Sequence, residues 1–195
     1  MSLHGRRFQD PKLTTILHDD FSNYTQHITE EMRTADACIY CLGTNIPVKP
    51  AELNRKINFD YALATARNFA EASKPNQSPV RFVYLSGALT EKDQGKHLWF
   101  LEDNRKMRGE LENALLELEK GLDHMSISIA RPGFVQPPGA HLRTWVIGKV
   151  ANAILQDDLA VAMVQLALEG CQDSLVENVQ LKAIAKGGEG GKNNR

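Results

Sequence analysis

Short apolar, β-branched runs alternate with longer amphipathic segments along this chain, and that alternation limits the folds open to it. "KLTTIL" (12–17), "DACIYCLG" (36–43), "VRFVYLSGA" (80–88) and "MSISIARPG" (125–133) read as strands. The last three are nearly continuous apolar runs, the pattern of strands buried on both faces of a parallel sheet. Segments 24–34, 51–73, 100–121 and 157–169 read as helices, and "VENVQLKAI" supplies a last short element. Strand–helix alternation implies βαβ units and an α/β fold with a parallel sheet flanked by helices. Residues 1–185 form a single domain on this reading. The glycine-rich "KGGEGGKNNR" (186–195) is expected to be a disordered tail.

The charge balance narrows the function classes. A formal net charge of −1 and a sequence pI near 6.6 leave no global basic field for nucleic acid or anionic lipid. "MSLHGRRFQDPK" lacks the apolar centre of a signal peptide, and "LAVAMVQLAL" is too short to span a bilayer. The expectation is a cytoplasmic protein with no membrane span. Cys38 and Cys41 form a C-x-x-C, but no further ligands stand at metal spacing. They read as two small buried strand residues, with no metal site.

In an open parallel sheet, ligands bind outside the carboxyl ends of the strands. That rule singles out Asp20–Phe21, Leu42–Gly43–Thr44, Ser86–Gly87 and Arg131–Pro132–Gly133. The helix "FLEDNRKMRGELENALLEL" carries a second signal. At about 100° per residue, Met107, Leu111, Leu115, Leu118 and Leu122 fall on one stripe with Asn104, and Arg108 lies beside it. Lys106, Glu110, Glu112 and Glu117 fall on other faces and read as solvated. A crossover helix runs antiparallel to its strands, so Asn104 and Arg108 are expected to enter the crevice near Ser86. The alternative is a rim ion pair for Arg108 and a turn cap for Asn104.

Several segments together resemble the atypical short-chain dehydrogenase/reductases. They are "IYCLGTN", "KINFDYALATARNFAEA", "FVYLSGAL", "RGELENALLELEKG", "ARPGFV" and "LVENVQL". The nearest group is the Tat-interacting-protein-like NAD(P)H oxidoreductases and their fungal relatives, over roughly residues 5 to 185. The resemblance implies a Rossmann sheet with NADP(H) as cofactor. It implies that Arg6 and Arg7 receive the 2′-phosphate and that Asp20 and Phe21 flank the adenine. Leu42, Gly43 and Thr44 would lie along the cofactor, with Pro132, Gly133 and Phe134 near the nicotinamide. Ser86 matches the catalytic serine, while Asn104 and Arg108 stand where the family has its Tyr-x-x-x-Lys pair.

The departures carry as much weight as the matches. No G-x-x-G-x-x-G occurs in the sequence, so the family's pyrophosphate-binding turn at a helix N-terminus has no counterpart here. On this reading the first strand and helix of the Rossmann fold are missing. Strand 12–17 is then expected to pair with, or collapse towards, strand 37–42. Asparagine has no proton to exchange near neutral pH, and arginine stays protonated. Two functions follow: an NAD(P)-linked oxidoreductase acting on a small metabolite, or a non-catalytic pseudo-enzyme that binds a nucleotide weakly or a protein partner. NADP(H) binding is expected to be weak or lost in this chain. Two apolar faces on helix 51–73 raise a homodimer through helices 51–73 and 100–121, or cover from a neighbouring helix.

Overall fold

The computed structural model describes residues 10–44, 46–73, 79–137 and 152–190. Four strands, β1 (Ala37–Tyr40), β2 (Val80–Leu85), β3 (Met125–Arg131) and β6 (Leu175–Glu177), form one parallel sheet in the order β1-β2-β3-β6. β4 (Val135–Gln136) and β5 (Ile154–Leu155) pair separately, also in parallel. The helices are α1 (Gln26–Thr34), α2 (Ala51–Arg55), α3 (Tyr61–Ala72), α4 (Glu102–Lys120), α5 (Gln156–Glu169) and α6 (Asn178–Gly190). A π turn, Lys56–Asp60, joins α2 to α3. The expected α/β architecture, a Rossmann-like parallel sheet flanked by helices, is what the chain forms.

Side-chain alternation along the strands decides what packs where. Tyr40, Phe82, Tyr84, Ile127 and Ile129 point to one face and meet Phe69 of α3 with Leu111 and Leu115 of α4. Val83, Ala130 and Val176 point to the other face and meet Leu159, Met163 and Leu166 of α5 and Leu181 of α6. Each face therefore has its own core. Strands buried on both sides need the near-continuous apolar runs the sequence shows.

Three expectations need correction. Residues 12–17 form no strand and no ladder, and Leu17 is 94% exposed. β1 ends the sheet among the described residues, yet residues 12–17 do not pair with its edge: strand propensity alone does not make a ladder. What anchors this part of the chain lies just downstream: His18, Phe21 and Tyr24 form an aromatic cluster, and Phe21 packs on Tyr61 of α3. The Tyr24 hydroxyl also bonds Thr65 at 2.6 Å. This arm, with α1, packs on α3 at Tyr61 and Thr65, while Phe59, Ala66 and Ala70 of the other apolar face are buried against the sheet. Second, the tail expected to be disordered from Lys186 continues α6 as far as Gly190, carried by the anchored turns at Leu181 and Ala185. Third, Cys41 is exposed and only Cys38 packs against the core, because the strand ends at Tyr40.

Candidate ligand crevice

β1 and β2 end side by side, and the chain leaves each at a glycine, Gly43 and Gly87. Between them opens a crevice of about 180 Å³, walled by Leu42, Gly43, Thr44, Tyr84, Ser86 and Arg108. Its position is the one the carboxyl-end rule gives. Arg108 reaches it from the second turn of α4, donating from Nη2 to the Thr44 carbonyl at 3.2 Å. A Cβ on Gly87 would come within 3.2 Å of the Arg108 Nη1, so the guanidinium lies close over that glycine. Among the described residues no carboxylate pairs with Arg108. Arg108 thus lines the crevice, and no rim ion pair is formed among the described residues.

Ser86 faces the crevice with its hydroxyl already engaged. Its hydroxyl donates to Glu112 Oε1 at 2.6 Å, and the neighbouring Thr90 hydroxyl spends its own proton on the Gly87 carbonyl. Ser86 Oγ therefore offers a ligand lone pairs and no proton. Glu112 is fully buried, which corrects its reading as a solvated residue. Arg131 makes this possible: its Nε donates to Glu112 Oε1 at 3.0 Å, and its Nη2 makes a second bond to Oε2. Lys92 stands 3.9 Å from the same carboxylate. On the helical wheel Glu112 follows Arg108 by four residues, so the buried stripe is wider than its apolar members show.

Tyr84 is the crevice residue that sequence reasoning passed over. It lies two residues before Ser86, so strand alternation puts both on one face. Burial pushes its phenol up to about 12, while the nearby Arg108 charge pulls the other way. It is 5% exposed and has no hydrogen-bond partner among the described residues. A neutral phenol and an unpaired guanidinium thus share the wall.

The remaining candidates lie elsewhere. Asn104 is buried but faces away from the crevice, accepting at Oδ1 from Asn54 Nδ2 at 2.9 Å. It caps no turn. Asp20 is used locally, accepting from the Ser22 N–H and the Asn23 amide, and Phe21 sits in the aromatic cluster. Gly133 is filled by the chain's own backbone: a Cβ there would stand 1.9 Å from the Asn152 carbonyl oxygen. Pro132 is buried beside it and Phe134 is half exposed; neither walls the crevice. Arg6 and Arg7 lie outside the described residues. Among the described residues no cluster of His, Cys, Asp or Glu is placed to hold a metal.

Fold and crevice together define a Rossmann-like α/β protein with an open crevice at the carboxyl edge of its sheet. No family model and no curated protein sequence matches the chain. Among solved structures it is similar to Pal from Bacillus thuringiensis, with a TM-score of 0.57 and 10% sequence identity. The match covers 87% of this chain and 66% of that one, so this chain spans only part of its structural neighbour's length. A likeness at that identity speaks for the fold alone. No described helix is long and apolar enough to cross a membrane.

Proposed function

We propose that this protein is a Rossmann-family binding protein related to the atypical short-chain dehydrogenase/reductases. Its crevice receives an anionic group of a nucleotide, and hydride transfer has been lost. The observation that carries the reading is Arg108, a guanidinium at the strand ends with no carboxylate partner among the described residues. Phosphate or carboxylate oxygens match its planar fork. A crevice of about 180 Å³ suits one such group rather than a whole dinucleotide. NADP(H) is the first nucleotide to test, on the strength of the resemblance. Loss of turnover is supported by Ser86, whose proton is committed to Glu112, and by Asn104, which has neither the phenol nor the position of a proton donor.

One observation favours the oxidoreductase reading instead. Tyr84 brings a phenol into the crevice beside a cation, the pairing a general acid for a carbonyl oxygen uses, although burial that raises it to about 12 makes it a weak acid. Isothermal titration with NADP⁺ and with inorganic pyrophosphate separates the cases. Arg108→Ala should weaken both about tenfold or more while changing stability by less than about 1 kcal/mol. Unchanged affinity in that variant would remove the crevice from the account. NADPH oxidation at an enzymatic rate that Tyr84→Phe abolishes would establish the oxidoreductase and make Tyr84 its acid.

A further inference from the structure

The four polar side chains Thr44, Asn58, Asn54 and Asn104 form one hydrogen-bonded chain, and its direction is fixed from the inside. The Thr44 N–H donates to Asn58 Oδ1 at 2.7 Å, and the Val48 N–H donates to Asn54 Oδ1 at 3.1 Å. A backbone N–H can only donate, so both amides must turn their oxygens to it. The Asn58 NH2 then gives its protons to the Asn54 carbonyl and side-chain oxygens. The Asn54 NH2 is left to donate to Asn104 Oδ1. Asn104 has no choice of flip: its oxygen is taken and its NH2 faces outward. The π turn at Lys56–Asp60 helps, since it lets consecutive residues Asn58 and Phe59 both be buried.

That NH2 group makes no hydrogen bond among the described residues, although Asn104 is only 6% exposed. Asn104 lines an open cavity of about 750 Å³ between the Pro47–Ala51 segment and the start of α4, and also a smaller one of about 350 Å³ on the side of Arg55 and Met107. Pro47, Val48, Pro50 and Leu101 give the larger cavity apolar walls. A volume of this size is that of a small-molecule site, where a few fixed polar groups set the orientation of an apolar ligand. The first turn of α4 adds to the preference, because Leu101 supplies no side-chain cap for its N–H groups. The charges at the rim balance, Glu102 and Asp103 against Lys49 and the Lys106 paired with Glu102, which suits a neutral ligand. Glu102 is also held ionised by its hydrogen bond from Lys106.

We infer that this cavity is a second binding site, for a small apolar molecule carrying a neutral carbonyl that accepts from the Asn104 NH2. The site is separate from the crevice and does not rest on the nucleotide reading. The test uses N,N-dimethylbenzamide, a neutral acceptor with no N–H, beside benzoate and benzylamine, followed by ¹⁵N-edited NMR of the side-chain amides. Dimethylbenzamide should shift the Asn104 NH2 signals and bind more tightly than benzoate. Asn104→Asp keeps the acceptor for Asn54 but turns an acceptor towards the cavity. It should weaken dimethylbenzamide about tenfold or more and let benzylamine bind. A far-UV circular dichroism melt confirms that the variant is folded. Dimethylbenzamide binding that survives Asn104→Asp unchanged, no binding up to the probe's solubility limit, or a preference for benzoate would each overturn the assignment.

Discussion

Glu112 is a carboxylate without solvent contact, held by the donors around it. Ser86 and Arg131 supply three hydrogen bonds between them. Removing one partner of such a pair leaves the other's charge uncompensated, typically at a cost of about 3–5 kcal/mol. Glu112→Gln keeps the shape but sets an NH2 or a neutral oxygen against the guanidinium. Arg131 retains Glu177 at 3.1 Å, so the loss should fall near the lower end, about 3 kcal/mol by urea denaturation. Adding Arg131→Met should recover part of that loss, since the stranded charge goes with it. A single-variant loss under about 1 kcal/mol would mean that the pair contributes little.

The α4 helix and the loop before it fit because of one small residue. A Cβ on Gly109 would stand 1.8 Å from the Glu91 carbonyl oxygen, and Glu91 N–H itself bonds the Arg105 carbonyl. Gly109→Ala therefore gains helix propensity but pushes the 87–98 loop off the helix. Overpacking should win, giving a net loss of about 1–3 kcal/mol. A rise in stability would show the loop to be freely displaced. The β1 strand gives a second element-scale test, on its thiols. Burial pushes Cys38 up to about 12 and raises Cys41 as well, but Cys41 and Cys171 are exposed to reagent. Ellman's reagent at pH 8 should label Cys41 and Cys171 in the native protein and reach Cys38 only on unfolding. Fast labelling of all three would mean that β1 opens readily.

The whole molecule should be most stable between mildly acidic and mildly alkaline pH. Hydrogen bonds from Arg55 hold Glu110 below its ordinary 4.5, and Lys96 and Lys106 do the same for Glu91 and Glu102. A depressed carboxylate contributes stability that is fully present above the unfolded-state value and lost as pH falls through the folded one. Melting temperature should therefore hold down to about pH 5 and decline below the 4.5 of the unfolded carboxyls. Cys38 acts with the opposite sign. Its folded thiol is raised from 9.0 to about 12, so its contribution is complete below 9.0 and lost as pH rises above it. Arg55→Met should flatten part of the acid limb and Cys38→Ala part of the alkaline limb. An acid limb unchanged by Arg55→Met would assign it to other carboxylates.

Period and composition were enough to place the three long strands, the main helices and the crevice at the strand ends. Apolar runs buried on both faces leave a parallel sheet few alternatives, and sheet geometry then puts Thr44, Ser86 and Arg108 near one another. Residues 12–17 show where that reasoning stops. A β-branched run states only a preference; residues 12–17 leave the edge of β1 unused, and the chain is anchored instead by the cluster of Phe21, Tyr24 and Tyr61. Glu112 and Tyr84 were hidden for a related reason. Whether a carboxylate can be buried depends on an arginine 19 positions away, and whether a strand tyrosine lines a site depends on what covers its hydroxyl. The outward NH2 of Asn104 is further still from the sequence, because two distant backbone N–H groups set it through a relay of amides. Patterns of period two and 3.6 are local, so the sequence carries them openly. Partners for buried polar groups are chosen across the fold, and only the tertiary structure decides them.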